Sequence, residues 1–478
     1  MSVLGHLEPK KVFAFFEELC AIPHGSRNNT AISNYLAKFA ADRGLEYYQD
    51  AAENVVIIKP ATAGYEAAEP VILQGHMDMV CEKAPECTKD MAVEGLDLAI
   101  DGDWVYAEGT TLGGDDGIAV AMGLALLDSG EIAHPRLEVV ITTDEELGMD
   151  GAMALDVSML RGRRMLNIDS EAEGVFTVSC AGGCGAKVEL PVQRESFAGE
   201  LFTVSVDGLI GGHSGVEIHK GRANADVLLG RVLLAAAGKT ELRLVSVEGG
   251  LKDNAIPATA KAIVAAADGD AFCRACEEMN AVVQAEYAVT DGGVCIHTCK
   301  GGEGLPMDAR STQRVLCFLT CAPNGVEVMS ADIEGLVQTS LNLGVLYTEG
   351  DSVKSSFCIR SSVDTQKVML CQRIDCLARS LGGSCRISGD YPGWAYRQDS
   401  PLRDLMTEVY TQQYGDAPRI EAIHAGLECG LFAGKLSGLD CVSFGPDLHE
   451  IHTPREKMSI SSVQRTWEFL VELLRRMK

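Results

Sequence analysis

No stretch of this 478-residue sequence strings together the roughly 18–20 apolar residues that a helical membrane span requires. Positive charge is also scarce: 41 Lys and Arg stand against 68 Asp and Glu, a formal net charge of −27. Such a field repels phosphate backbones and anionic lipid surfaces, so neither nucleic acid nor a membrane is an expected partner. The 17 cysteines lack the paired CxxC spacing of a zinc knuckle, because Cys180/Cys184 and Cys295/Cys299 are set wider apart. They are scattered, odd in number and unaccompanied by a secretory signal, so most are expected to be reduced core residues. The first twenty residues read as an amphipathic helix without a cleavage site, which makes the cytoplasm the expected location. A GxGxxG after the first strand is missing as well, so Gly182, Gly183 and Gly185 do not make a dinucleotide-binding oxidoreductase. What is abundant is apolar side chain, 46% of the chain, enough to fill the two domains that this length implies.

Up to about residue 186, helix-like segments at 10–20, 29–43 and 117–127 alternate with strand-like ones at 54–59, 71–74, 137–142 and 165–168. This alternation predicts an α/β domain with a mostly parallel sheet, in which ligands bind at the carboxyl ends of strands. His76, Glu145 and Asp169 each follow one of these strands. Between 187 and 396 the text turns to period-two strands such as LFTVSVDG and LRLVSVEG, backed by helices at 223–236 and 271–287. A second round follows, with helices at 313–319 and 365–381 and strands at 337–345, 354–361 and 384–388. We read 187–396 as an inserted α+β domain with two similar halves, and 1–186 plus 397–478 as the domain that receives it.

Five clusters carry chemistry. In VILQGHMDMV, His76 ends a buried strand and Asp78 follows on the same side, the pattern of a metal ligand and the carboxylate that orients it. In TLGGDDGIAVAMG, Asp115 and Asp116 open a helix between glycines, where a carboxylate can bridge two cations or serve as an N-cap. VVITTDEELGMDGA sets Asp144, Glu145 and Glu146 in a row, a mutual repulsion that a cation would relieve. Asp169 ends the apolar run of MLNIDSEAEG, and Gly445, Pro446 and Pro454 stiffen a loop around His449 and His452. Each cluster alone has an ordinary structural reading. Together they meet the needs of a two-metal site: about six donors, a carboxylate bridging ions ~3.5–4 Å apart, and one free base to activate water. Imidazole and carboxylate donors without thiolate suit Zn2+, with Mn2+ or Co2+ as substitutes.

The ordered run GHMDMV, LGGDDGIA, TTDEELGMDGA, NIDSE, GGHSGVEIHKGRANA, NAIP, RSSVD, HAGLECG and GPDLHEIHTPRE resembles the cytosolic aminoacyl-histidine dipeptidases, also called cytosol non-specific dipeptidases, within a superfamily of dizinc exopeptidases and deacylases. The resemblance implies a dizinc catalytic domain with an inserted lid. It implies that Asp115 bridges the ions, that His76 and Asp169 complete one site and Glu146 and His452 the other, that Asp78 orients His76, and that Glu145 is the general base. It further implies a cis peptide between Asp115 and Asp116, the latter standing where the family often has Asn. His213 of GGHSG is implied to stabilise the developing oxyanion, Asn254 and Arg360 to hold the substrate's terminal carboxylate, and Gly426 to line the substrate floor, while Glu428 braces its loop. Spacing to TPRE favours His452 over His449 as ligand.

The expected function is hydrolysis of unblocked dipeptides, Xaa-His and broader. Competing readings are a tripeptidase or N-acyl amino acid deacylase with the same metal centre, and a non-catalytic metal-binding scaffold. A homodimer is compatible with the resemblance, since superfamily members often pair through their lids; a doubled lid could serve the same end within one chain. Glycines near 185 and 393 are hinge candidates.

Overall fold

Two apolar runs, Val71–His76 and Leu137–Thr142, become strands buried along their whole length, and the sheet that positions the site is built around them. The computed structural model describes residues 2–478. The chain divides into two compact units, one running to Ser179 and including Tyr396–Ala422 and Leu427–Lys478, the other Cys180–Ala395 with Ile423–Gly426.

The sheet of the first unit runs Glu46–Gln49, Val55–Lys59, Leu137–Thr142, Val71–His76, Arg164–Asn167, Asp440–Ser443, Val175–Cys180, Arg419–Ile423. Its centre is parallel: Val71–His76 pairs with Leu137–Thr142 on one side and Arg164–Asn167 on the other, and Asp440–Ser443 continues the same direction. Strands covered on both faces need no polar alternation, which is why they read as continuous apolar runs. In register, His76 lies opposite Thr142 and Gln74 opposite Asn167, so three adjacent strands end at one edge. Helix Gly114–Asp128 lies in the core, buried from Asp116 to Leu127. Gly117 lets it approach the ring of Phe16, where an added Cβ would lie 3.2 Å from a ring carbon.

A small second sheet, Leu448–His449, Lys457–Ser459, Trp104–Ala107, Leu98–Asp101, was not anticipated. Its strands are two to four residues long, too short for period-two patterning to register. It matters because the pairing of Leu448–His449 with Lys457–Ser459 turns 450–456 into a hairpin end that presents His452.

The second unit is a nine-stranded antiparallel sheet, with Cys295–Lys300, Glu200–Asp207, Ala260–Ala266 and Leu242–Gly249 followed by Val337–Glu349, Ser352–Ser361, Gly182–Pro191 and Ser384–Tyr391, and Gly325–Met329 added on Val337–Glu349. Each half repeats strand, helix, strand, strand, helix, strand, and the strand order is mirrored about the junction of Leu242–Gly249 with Val337–Glu349. Each half also buries one strand-to-helix aromatic pair, Phe202 with Phe272 and Phe318 with Phe357, ring centres 5.3 and 6.1 Å apart. The chain enters this unit at Cys180 rather than at 187, because Gly182–Pro191 is already one of its strands. Gly185 is paired on both sides within that strand, so it is no hinge, whereas Gly393 packs against Gly182 next to the crossing at Ala395.

Candidate metal centre and active site

His76, at the end of its strand, is 1% exposed. Its Nδ1 lies 2.9 Å from the carbonyl oxygen of Asp78, which can only accept, so Nδ1 carries a proton and Nε2 is the nitrogen left for a cation. Nε2 lies 3.1 Å from Asp115 Oδ1, a hydrogen bond whose proton a cation would replace, and 3.6 Å from Asp169 Oδ1. The other oxygen of Asp115, Oδ2, lies 3.2 Å from His452 Nε2, which is also 2.9 Å from Glu146 Oε1. Asp115 therefore turns one oxygen to each of two donor sets, His76 with Asp169 and His452 with Glu146.

Both oxygens of Asp115 hydrogen-bond the imidazoles they face, whereas Glu146 and His452 approach without bonding. Glu146 Oε1 is buried and has no hydrogen bond of acceptable geometry, although His452 Nε2 is close by. That misalignment fits two ligands aimed at a shared cation, and the donor chemistry of the cluster fits zinc. Grouping by distance alone also joins Asp116 with His76 and Asp169, and Glu145 with His76 and Glu146. Asp116 is otherwise engaged: its Oδ2 accepts the backbone N–H of His76 at 3.2 Å, a bond that an Asn carbonyl would accept equally well. Its peptide with Asp115 is cis, as the resemblance implied.

Asp78, 1% exposed, accepts from Ser26 Oγ at 2.8 Å and from the backbone N–H of Glu145 at 3.1 Å. Its carboxylate thus fixes the start of the Glu145–Leu147 turn, while the ring of His76 is held by its main-chain oxygen at 2.9 Å rather than by the carboxylate, 3.5 Å away. Asp144 stands outside the cluster, its Oδ1 accepting from Arg27 N and Asn29 Nδ2. His449 stands outside too, its ring tilted at 51° against Trp104 with centroids 4.8 Å apart. Among the described residues six non-glycine positions have positive φ, and four of them, Asp144, Met149, Glu450 and His452, lie on the two loops that carry Glu145, Glu146 and His452. A left-handed backbone at non-glycine positions is retained where geometry matters more than local comfort.

Crowded acids make the centre electrostatically tense. Burial, and then the neighbouring charges of Asp169, Glu428 and Glu146, push the Glu145 carboxyl well above the usual range, against the pull of His76. Burial and the charges of Asp115 and Asp169 likewise raise Glu171 to about 7. Asp115 and Glu146 hold the His452 imidazole up at about 10. Each shift has the sign that added positive charge at the cluster would relieve.

In the second unit, His213 pairs with Ala255 in a two-stranded ribbon that sets Asn254 beside it. His213 Nδ1 accepts the backbone N–H groups of Gly215 and Val216 at 3.2 and 3.3 Å, so the neutral ring carries its proton on Nε2. Burial and the charge of Arg360 lower its pKa and keep it neutral. Arg360 is 9% exposed, with Nη1 3.5 Å from the Tyr391 hydroxyl and a buried Nε that has no partner. Gly426 belongs to the short return Ile423–Gly426, which Ala181 N–H ties to the oxygens of Ile423 and Ala425.

A model of the Peptidase family M20/M25/M40 matches residues 72–476. The chain belongs to this family. This M20 peptidase is 38% identical over 480 residues to the cytosol non-specific dipeptidase of Escherichia coli (strain K12), covering 99% of both chains. The crystal structure of aminoacylhistidine dipeptidase from Vibrio alginolyticus matches it with a TM-score of 0.94 at 38% identity, covering 99% of this chain and 98% of that one. Aminopeptidase PepT from Bacillus cereus ATCC 10987, 17% identical over 98% of this chain and 99% of its own, shares the fold with a TM-score of 0.56.

Two residues of this M20 peptidase escaped the sequence reading. Glu456 is 3% exposed and accepts the backbone N–H groups of Leu112, Gly113, Gly114 and Asp115 at 2.8, 3.1, 2.8 and 3.4 Å. It holds the segment that delivers the bridging candidate; the only signal was a Gly-Gly pair whose amides needed an acceptor. His424 is buried with Nε2 2.7 Å from Ser340 Oγ, and nothing in the sequence around it marked that pairing. Glu428 accepts from Thr142 Oγ1 at 2.7 Å and from Gln74 Nε2, so it braces the central strands from below the donors.

Proposed function

We propose that this M20 peptidase is a cytoplasmic metal-dependent dipeptidase whose centre holds two divalent cations, zinc by preference. The single observation that carries this reading is the division of Asp115 between two imidazole-carboxylate sets at the carboxyl ends of parallel strands. His76 and Asp169 would hold one cation, His452 and Glu146 the other, and Asp115 both. When bound, the pair supplies an acidified water and a Lewis acid for the carbonyl. The names of the two relatives that match at 38% identity, both dipeptidases, support the substrate class.

The residues of the chain divide the rest of the work. Glu145 takes the proton from the attacking water and returns it to the leaving amine. Asp78 keeps His76 in the tautomer that leaves Nε2 for a cation, and holds the backbone of Glu145. His213, neutral with its proton on Nε2, donates to the oxyanion as it forms. Arg360 and Asn254 hold the terminal carboxylate, with Gly426 at the substrate floor. A guanidinium paired with that carboxylate measures one residue beyond the scissile bond, and so selects dipeptides.

A panel of dipeptides, tripeptides and N-acyl amino acids, assayed on metal-replete and chelator-stripped protein, tests the reading. Turnover confined to dipeptides and restored by about two equivalents of Zn2+ is expected. Preferential turnover of tripeptides or acyl amino acids would move the assignment to those classes, and no hydrolysis at all would leave a metal-binding scaffold. Arg360→Ala is expected to lose about 1.5–3 kcal/mol of transition-state binding, roughly tenfold to a hundredfold in kcat/KM. The loss should vanish with dipeptide amides, which lack the carboxylate; an equal loss on amides would remove Arg360 from that role.

A further inference from the structure

Strand register assembles a basic surface on the second unit whose charged residues the peptidase reading leaves unused, although Asn254 also lines it. Across four neighbouring strands, Arg386 lies opposite Lys187, Lys187 opposite Ser356, and Ser356 opposite Val345. Directly paired residues share a face, and like charges placed so are destabilising unless something of opposite sign lies between them. The next row on that face, Ser384, Glu189, Lys354 and Tyr347, is already balanced: Lys354 pairs with Glu349, and Glu189 accepts from Ser352 at 2.7 Å. Arg386 and Lys187 have no such partner, and among the described residues neither side chain makes an ion pair or hydrogen bond.

These rows floor a cavity of about 710 Å³, with Lys252 contributed by the 251–254 segment at its wall. On the same row as Lys187 and Arg386, the Ser356 hydroxyl oxygen is buried with no hydrogen-bond partner. A buried hydroxyl left unmatched costs free energy, and although Glu189 and Asp253 share the lining, the four cations Lys187, Lys252, Lys354 and Arg386 leave it net positive in a chain whose net charge is −27. Guanidinium, ammonium and hydroxyl donors converging on one space form a receptor for oxyanions.

We propose that this cavity binds a small, multiply charged oxyanion, a phosphate or a polycarboxylate, held by Arg386, Lys187 and Lys252 with the Ser356 hydroxyl as a neutral donor. The site is separate in chemistry from the carboxylate-rich centre of the first unit, which takes cations.

Calorimetric titration of the metal-replete full chain with inorganic phosphate and, separately, with tricarballylate at constant ionic strength tests this. At least one anion should bind with one equivalent that Lys187→Ala/Arg386→Ala weakens tenfold or more, the loss of two charge-assisted contacts. Saturation by phosphate alone marks a phosphate-bearing ligand, and saturation by tricarballylate alone marks a polycarboxylate. Anion held at the metal centre would survive the double substitution. Ser356→Val keeps every charge, and should weaken the same equivalent by a smaller factor. Absence of saturable binding by either anion, or unchanged affinity and stoichiometry in the double variant, overturns the proposal.

Discussion

Glu145→Gln is expected to lower kcat by roughly 10²- to 10⁴-fold, the usual worth of a positioned acid-base group, while metal content stays at the wild-type level. Glutamine has the size and polarity of the native side chain but cannot take a proton. The position of the residue does not depend on its carboxylate: its backbone N–H is fixed by Asp78, and its loop by Asp144 with Arg27 and Asn29. The donor atoms of Glu145 also approach those of His76 and Glu146, so proximity alone would allow it to be a ligand. Metal analysis by mass spectrometry beside steady-state kinetics separates the two roles. A lost cation together with lost turnover would make Glu145 a ligand, and unimpaired turnover would dismiss it from the mechanism.

The site was legible in the sequence wherever chemistry sat next to a fully buried strand. Val71–His76 and Leu137–Thr142 are apolar because both faces are covered, and the first polar residues beyond them are those that a parallel sheet presents at its edge. That local rule pointed to His76, Glu145 and Asp169, and the row of adjacent acids in the same turn to Glu146. The pairing of His452 with Asp115 spans 337 residues and was reached only through the motif resemblance, since no periodicity links the two. What stayed hidden was support without pattern. The hairpin behind His452 is built from strands of two and three residues, and the Ser340–His424 pair needs nothing but contact in space. Domain limits drifted for a similar reason: Gly182–Pro191 opens with glycines, so its alternation becomes visible only from residue 187 onward.

Glu456→Ala should be the most destabilising single change near the centre, by about 3–5 kcal/mol, in the range measured for breaking a buried charged contact. Four backbone N–H groups converge on this one carboxylate, and alanine would leave them facing a cavity in the core. Glutamine rescues only in part, because its NH2 group turns donors toward donors. The segment it releases carries Asp115, so the variant should also bind metal more weakly, although Glu456 touches no metal. Comparison with Asp115→Asn separates support from ligation. Both variants should lose metal, but only Glu456→Ala should lower the thermal midpoint of chelator-stripped protein, by roughly 10 °C on the usual scaling for a unit of this size. A stripped Glu456→Ala protein that melts with the wild type would mean that water or a backbone shift satisfies those amides, and that the loop holds Asp115 in place without its carboxylate clamp.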